Sequence, residues 1–126
     1  MKYQRKIAKE IMCPIEYGLD MFGGRWRARI LCVLSSQSFM RYNVLKSELN
    51  NITHAVLASM LKELLADGLV AREQYNEIPP RVEYSLTEKG KSILPILKGI
   101  CRWSRQQTKD NLDKILPPCK TCKQLA

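Results

Sequence analysis

The sequence predicts an α+β fold in which short helices are followed by a small antiparallel hairpin. Apolar residues recur at helical spacing over most of residues 14–66, and the spacing changes to a strand-like alternation over residues 69–86. The chain has 126 residues, which suits one domain with short extensions. We therefore expect a single domain over residues 13–108, preceded by a basic arm, residues 1–12, and followed by a polar tail, residues 109–126.

Two helices are predicted at the start of the domain. Pro14 suits the first position of a helix, and the pair Gly23-Gly24 ends that helix. Residues 25–36 then show apolar side chains at helical spacing, which is typical of a core helix. We expect Trp26 to anchor this second helix in the core.

A pair of helices separated by a short turn is predicted next. Residues 38–41 leave room for only a brief extended stretch, and the third helix ends at Asn50-Asn51. Thr53 is a suitable N-cap for a fourth helix, which Asp67-Gly68 closes. Leucines follow one side of this fourth helix, so it is the best defined helix in the sequence.

The rest of the domain predicts a hairpin and a last helix. Residues 69–75 and 81–86 alternate like strands, and a loop of five residues joins them. Every second residue of the later strand, beginning at Val82, should share one face. Thr87 offers a cap for one long helix, which Pro95 should kink.

The order helix, helix, short strand, helix, helix, hairpin, helix is that of a winged helix-turn-helix domain. In such domains the second helix of the pair enters the major groove of DNA. The first and last helices carry more apolar surface than one small core needs, which predicts added N- and C-terminal dimerisation helices and a homodimer. The expected interface residues are Ile15, Leu19, Ile93, Leu97, Ile100 and Trp103.

The charge of the chain favours a polyanionic partner. Lysine and arginine number 21 against 12 acidic residues, so the formal net charge is +9. Residues 21–47 contain five basic residues and no acid, which suits attraction to phosphates, although a solvated surface is the alternative. The residues predicted to contact double-stranded DNA are Arg25, Arg27, Arg41, Thr53, His54, Ala55, Ala58, Ser59, Lys62 and Arg81.

Two of these contacts have structural alternatives. Arg81 follows the prolines of the hairpin loop and is expected to enter the minor groove, whereas the alternative is an ion pair with Glu77 or Glu83. His54 lies on the flank of its helix, where a structural role and a DNA contact are equally favoured. The side chains at positions 55, 58 and 59 are small and read few base edges, so the operator sequence is poorly constrained.

The five cysteines are odd in number and scattered, which indicates reduced thiols in a cytoplasmic protein. Cys13 precedes the start of a helix, where the dipole favours a thiolate, so redox sensing and inert packing are both open. Cys32 is expected to pack in the core. Cys119 and Cys122 form a CxxC pair, for which a plain tail pair, a redox disulfide and a metal site are the alternatives. Because zinc needs about four ligands, we expect no metal and no cofactor.

Several other classes of function are disfavoured. The chain has one histidine and no nucleophile motif, which argues against a hydrolase, and no apolar run is long enough to span a membrane. We therefore expect a regulator without enzymatic activity, and thiol-disulfide exchange by the tail is the least favoured hypothesis. A winged helix that binds proteins and not DNA is the alternative of another class.

Several linked motifs resemble one family. They are Cys13-Pro14-Ile15-Glu16-Tyr17 with Gly23-Gly24-Arg25-Trp26, Leu61-Lys62-Glu63-Leu64 with Asp67-Gly68-Leu69-Val70, and Pro79-Pro80-Arg81-Val82-Glu83-Tyr84-Ser85-Leu86-Thr87 with Gly90. In this order, over residues 13–105, they resemble the HxlR-type winged helix regulators of the MarR-like superfamily.

The resemblance implies a homodimeric, cytoplasmic transcription factor that binds an inverted-repeat operator. It also implies a response to a small ligand, an oxidant or an electrophile, with the cysteine at position 13 as the redox-sensing residue in several family members. One departure concerns the start of the recognition helix, where relatives carry long polar or basic residues. This chain has His54, Ala55, Ala58 and Ser59 there.

Overall fold

The structure, a computed structural model, describes residues 13–108 of the chain. The basic arm and the polar tail, with Cys119 and Cys122, lie outside the described residues. Up to residue 86 the helices and strands follow the predicted order, and the α+β winged helix-turn-helix fold is confirmed. They are α1 (Pro14–Phe22), α2 (Arg27–Leu34), β1 (Met40–Arg41), α3 (Tyr42–Leu49), α4 (His54–Ala66), β2 (Val70–Tyr75), β3 (Arg81–Leu86), α5 (Glu88–Ser92) and α6 (Leu94–Gln107).

The ends of α3 and α4 are set by local sequence signals. Asn50 and Asn51 have φ angles of 54° and 62°, a left-handed conformation that asparagine tolerates better than most residues. The Thr53 side chain accepts a hydrogen bond of 3.2 Å from the backbone N–H of Val56, as an N-cap should. Gly68, with a φ of 75°, ends the segment after α4. The chain therefore turns tightly between the two helices of the pair.

The C-terminal segment forms two helices and not the one kinked helix that the sequence predicts. Thr87 caps only α5, where its hydroxyl oxygen accepts a hydrogen bond of 3.0 Å from the N–H of Gly90. Pro95 has no N–H to donate to the carbonyl of Lys91, so the helical hydrogen-bond ladder stops there. The chain starts again as α6, in which Leu97 donates to the carbonyl of Ile93 at 3.1 Å.

The sheet has the strand order β1-β3-β2, and both pairings are antiparallel. Met40 pairs with Tyr84, and Val70 pairs with Leu86. The predicted single apolar face of β3 is only partly correct. Tyr84 and Leu86 pack against the core, whereas Val82 is half-buried and lies outside it. Glu83, between Val82 and Tyr84 in the sequence, is the buried residue of this strand.

The core lies between α2, α3, α4 and the sheet, and α6 closes it from one side. Trp26 packs against this core, as predicted. Two residues that the sequence assigned to the dimer interface, Ile93 and Leu97, are buried here at 8% and 7% exposure, so that assignment is wrong for them. The buried apolar residues are Met21, Ile30, Leu31, Leu34, Met40, Leu45, Leu49, Ile52, Leu57, Leu61, Leu64, Leu69, Val70, Ile93 and Leu97.

Within residues 13–108, no helix combines the length and apolar character that crossing a membrane requires.

Candidate nucleic-acid interface

Helix α4 has one face in the core and one face in solvent. Leu57, Leu61 and Leu64 are almost completely buried, which fixes the rotation of the helix about its axis. The opposite face is exposed, as the helical wheel predicts. It carries His54, Ala55, Ala58, Ser59, Lys62 and Ala66, and the capping residue Thr53 before them is exposed as well.

The N-terminal end of α4 is held by Tyr42, the first residue of α3. The Tyr42 Oη lies 2.9 Å from Nδ1 of His54 and donates to the backbone carbonyl of His54 at 3.2 Å. The two rings meet edge to face with their centroids 5.0 Å apart. Burial, and secondarily the neighbouring Tyr84, raises the pKa of Tyr42, so its phenol keeps the proton that it donates. The structural role expected as one alternative for His54 is therefore formed, although the residue stays exposed.

The turn between α3 and α4 is held by Arg29 of α2. The Arg29 guanidinium donates to the backbone carbonyl of Leu49, the last residue of α3. The same guanidinium lies over the Trp26 ring, 4.6 Å from its centroid. Arg29 lies in the acid-free segment, residues 21–47, that was expected to attract phosphates. In the fold, its guanidinium instead supports the turn between α3 and α4.

Arg27 is not a DNA contact, and its prediction as one is wrong. The residue is 6% exposed, and its two terminal nitrogens donate to Glu63 at 2.7 Å and to Asp67 at 2.8 Å. It also donates to the carbonyl of Met21 at 3.1 Å. A buried guanidinium needs such partners because its desolvation is otherwise very costly. Since Glu63 lies in α4 and Asp67 caps it, Arg27 fixes the C-terminal end of the recognition helix to α2.

The charge pattern contains a signal that would have identified this cluster. Arg27 precedes Ile30, Leu31 and Leu34 by three, four and seven residues, so it shares their buried helix face. Its partners Glu63 and Asp67 are four residues apart, on one side of α4 and its cap. A cation on one buried face and two acids on another predict an internal ion pair.

Three of the remaining basic residues of the predicted interface reach solvent. Arg25, Arg41 and Lys62 are exposed, and none of the three forms an ion pair with any other described residue. The Arg25 guanidinium lies 5.4 Å from the centroid of the Trp26 ring, which steadies it at the start of α2. Their charges are therefore available to a polyanion.

In the hairpin of β2 and β3, Arg81 forms the ion pairs that were expected as the alternative to a DNA contact. Its guanidinium lies 3.4 Å from Glu77 and 3.6 Å from Glu83, and it stacks over the Tyr75 ring at 4.1 Å. The Arg81 Nε is buried and finds no hydrogen-bond acceptor within the described part of the chain. Partial burial and the carboxylates of Glu73 and Glu83 raise the pKa of Tyr75, so the ring stays neutral against this charge cluster.

Three of the five cysteines lie within residues 13–108. Cys13, Cys32 and Cys101 are each half-buried. Cys13 occupies the N-cap position of α1. Cys32 stands beside the core and not in it, which differs from the expectation, because α2 turns Ile30 and Leu31 inward. Over residues 13–108 there is no cluster of three or more side chains suited to a metal ion.

The exposed apolar residues of α1 and α6 form the candidate dimer face. Ile15 and Leu19 of α1, and Ile100 and Trp103 of α6, are all exposed, as the interface prediction requires. Ile96, which the sequence interpretation missed, is 52% exposed. It lies four residues before Ile100, so α6 has an exposed apolar stripe beside its buried one.

Comparison with known proteins agrees with this geometry. The family model of the HxlR-like helix-turn-helix matches residues 21–112. The chain belongs to the HxlR-like helix-turn-helix family. An uncharacterised HTH-type transcriptional regulator of Halalkalibacterium halodurans is 42% identical to this HxlR-like protein over 102 residues, which cover 81% of this chain and 90% of the relative.

Solved structures of regulators have the same fold as this HxlR-like chain. The redox regulator HypR in its oxidized form is 38% identical, with a TM-score of 0.70 over 75% of this chain and 96% of HypR. A MarR-family transcriptional regulator from Porphyromonas gingivalis is also 38% identical, with a TM-score of 0.70 over 79% of this chain and 96% of the other. The predicted resemblance is confirmed, and the HxlR-like protein is a DNA-binding transcriptional regulator.

Proposed function

We propose that the protein acts as a homodimer in the cytoplasm on an inverted-repeat operator, with α4 of each copy in the major groove of one half-site. The observation that carries this proposal is the exposed face of α4. Small side chains, Ala55, Ala58 and Ser59, lie on this face near the start of the helix, and the leucines on the other face are buried in the core. Small side chains let the helix backbone come close to base edges and thymine methyl groups. Both ends of the helix are held by the fold, as an element that enters a groove must be.

Within this proposal, Arg25, Arg41 and Lys62 attract phosphates, while Thr53, His54, Ala55, Ala58 and Ser59 face the groove. Arg81 reaches DNA by exchanging its exposed partner Glu77 for a phosphate or a minor-groove edge. The 3.4 Å separation of the guanidinium from Glu77, whose side chain is 51% exposed, supports such an exchange.

Dimerisation follows from the spacing of half-sites. Two recognition helices must reach grooves about 34 Å apart, which one small domain cannot do. The face formed by α1 and α6 offers the apolar surface for this contact, and its exposed members are Ile15, Leu19, Ile96, Ile100 and Trp103.

The test selects bound fragments from random DNA with the purified full chain and then measures affinity against salt. Lys62→Ala should weaken binding to all sequences and reduce the salt slope by about one unit. Arg102→Ala, which removes an exposed cation from α6, is the matched control and should change the slope little. Equal salt slopes for the two variants would show that α4 does not contact DNA phosphates through Lys62.

The oligomeric state is tested by light scattering on Ile100→Asp, which places a charge in the apolar stripe of α6. The variant should be monomeric at micromolar concentration and should bind the palindromic site at least about tenfold more weakly. A wild-type monomer with full operator affinity would contradict the homodimer.

A second candidate function is redox sensing through Cys13. Two observations favour it: the thiol is half-buried at the N-cap of α1, beside the proposed dimer face, and the chain is similar to the redox regulator HypR. Diamide takes two hydrogens and two electrons from a pair of thiols, so it would join Cys13 to a second thiol in a disulfide, which would alter α1 and hence the angle between the two copies. Diamide should weaken operator binding of wild type and of Cys32→Ser but not of Cys13→Ser, whereas an equal response of all three would exclude Cys13 as the sensor.

A further inference from the structure

His54, the first residue of α4, makes two close contacts with one phenol. The Tyr42 Oη lies 2.9 Å from Nδ1 of the imidazole and 3.2 Å from the backbone carbonyl oxygen of the same histidine. The Tyr42 ring itself packs against the core and meets the imidazole edge to face. Turning the imidazole over would put a carbon atom in place of Nδ1 and lose the hydrogen bond. The start of α3 therefore sets the orientation of the His54 ring.

The two contacts together determine which ring nitrogen carries the proton. A phenol has one proton to donate, and a carbonyl oxygen only accepts. If that proton went to Nδ1, the Tyr42 Oη and the carbonyl oxygen would face each other at 3.2 Å with no hydrogen between them. Both contacts are hydrogen bonds only when Oη donates to the carbonyl and the N–H at Nδ1 donates to Oη. The neutral imidazole of His54 is then the Nδ1–H tautomer, with a lone pair on Nε2.

Nε2 is the atom that His54 offers to another molecule. The residue is exposed, and within residues 13–108 no hydrogen bond forms at Nε2. The first turn of α4 contains no acidic residue to stabilise a charged imidazole, and the N-terminal end of a helix disfavours a cation. The lone pair on Nε2 only accepts hydrogen bonds. In the major groove the matching donors are the amino groups of adenine and cytosine, whereas guanine and thymine present acceptors.

We propose that His54 is a specificity-determining residue: its Nε2 accepts a hydrogen bond from the amino group of an adenine or a cytosine in each half-site. Tyr42 is the positioning residue that fixes the tautomer. This inference rests on the function proposed above, which places the start of α4 in the major groove. A guanine or a thymine at the same position turns an acceptor toward the lone pair and is rejected. His54 thereby reads a base edge beside Ala55 and Ala58, whose side chains form no hydrogen bonds.

The tautomer is tested on the free protein, without DNA. His54 is the single histidine of the chain, so histidine labelled with ¹⁵N gives one pair of ring signals in a long-range proton–nitrogen spectrum. At about pH 8, where imidazole groups are mainly neutral, the proton should be on Nδ1. Tyr42→Phe keeps the aromatic ring but removes the acceptor of that proton, so a mixture of both tautomers should appear. Tyr84→Phe removes the hydroxyl of another tyrosine that packs against the core and should leave the signals unchanged.

The base contact is tested at the same pH on sites that the full chain selects from random DNA. Wild type should prefer adenine or cytosine at one position of each half-site, and His54→Ala should lose the preference at that position alone. A base analogue that lacks only the amino group, purine for adenine or pyrimidinone for cytosine, should weaken wild-type binding about tenfold. It should weaken binding of His54→Ala less than about twofold, and the difference between the two proteins isolates the contact. Tyr42→Phe should fall between them, and Tyr84→Phe should match wild type.

Each part of the proposal has its own contradicting result. A proton on Nε2 in the wild-type protein would overturn the tautomer and the base contact with it. A proton that stays wholly on Nδ1 in Tyr42→Phe would overturn the positioning role of Tyr42. With the proton on Nδ1, a preference for guanine or thymine, or equal losses of wild type and His54→Ala on the analogue, would overturn the base contact. A chain that has this tautomer but selects no DNA sequence would overturn the proposed function itself.

Discussion

Replacing Arg27 by methionine should destabilise the fold without weakening the salt dependence of DNA binding. Methionine fills a similar volume but removes the guanidinium that donates to Glu63, Asp67 and the carbonyl of Met21. The side chain of Asp67 is 3% exposed and that of Glu63 is 22% exposed. The substitution therefore leaves one carboxylate buried without its cation and a second one partly so.

The expected cost follows from these exposures. Breaking a buried ion pair by removing one partner costs about 3–5 kcal/mol, and the near-complete burial of Asp67 places Arg27→Met in that range. Because domains of this size have about 5–15 kcal/mol of stability in total, the variant should stay folded only in mild conditions. At about 1.5 kcal/mol per molar urea, the unfolding midpoint should fall by about 2 M or more.

Urea unfolding followed by circular dichroism measures this shift, and Arg25→Met is the matched control. Arg25 lies two residues before Arg27 and is exposed, so Arg25→Met should lower the free energy of unfolding by less than about 1 kcal/mol. Operator binding should rank the two variants in the reverse order. The salt slope should fall for Arg25→Met, whereas it should stay constant for folded Arg27→Met. Combining Arg27→Met with Asp67→Asn should recover part of the stability. Equal midpoints for the two methionine variants would refute the internal role of Arg27.

Three further predictions concern the cap of α4, the middle of α5 and the start of α3. Thr53→Ala should cost about 1 kcal/mol in thermal or urea unfolding because it removes the cap of α4, and Thr53→Ser should cost almost nothing. Gly90→Ala should cost at least about 1–3 kcal/mol, since a Cβ there would collide with the backbone carbonyl of Leu69, and a protein as stable as wild type would contradict this. Tyr42→Phe should cost about 1 kcal/mol at neutral pH because it removes the hydroxyl and its hydrogen bonds to His54. The raised pKa of Tyr42 means that the folded state holds the phenolic proton more tightly, so wild-type stability should fall as the pH rises above 10.0, and the phenylalanine variant should show a smaller fall.

The sequence was most informative where structure depends on near neighbours. The cap at Thr53, the leucines of α4 and the turn at Asn50 and Asn51 are read from spacing and side-chain chemistry alone, and each lies where it was predicted. The division of the last helix at Ile93 was within reach, because Pro95 removes a hydrogen bond that one continuous helix needs.

Contacts between distant residues account for what the sequence did not show. Arg27 meets Glu63 and Asp67 across 36 and 40 positions, so a basic residue in an acid-free segment became an internal cation. Likewise Ile93 and Leu97 entered the core because α6 packs on α2, whereas helical spacing alone could not separate a core stripe from a dimer stripe on the same helix. Apolar periodicity shows that a face is covered, but not by which element.

The two arginines of α2 together determine how the recognition helix can move. Arg27 holds the C-terminal end of α4 through Glu63 and Asp67, and Arg29, two residues later, holds the chain before its N-terminal end through the carbonyl of Leu49. A displacement of α2 therefore acts on both ends of α4 and moves it as a rigid body, whereas release of Arg29 alone leaves the C-terminal end fixed and makes α4 pivot about it. A pivot shifts His54 and Ala55 the most and Lys62 the least. Replacing Arg29 by methionine removes this hydrogen bond and should then weaken contacts to bases more than contacts to phosphates, so specificity should fall further than non-specific affinity.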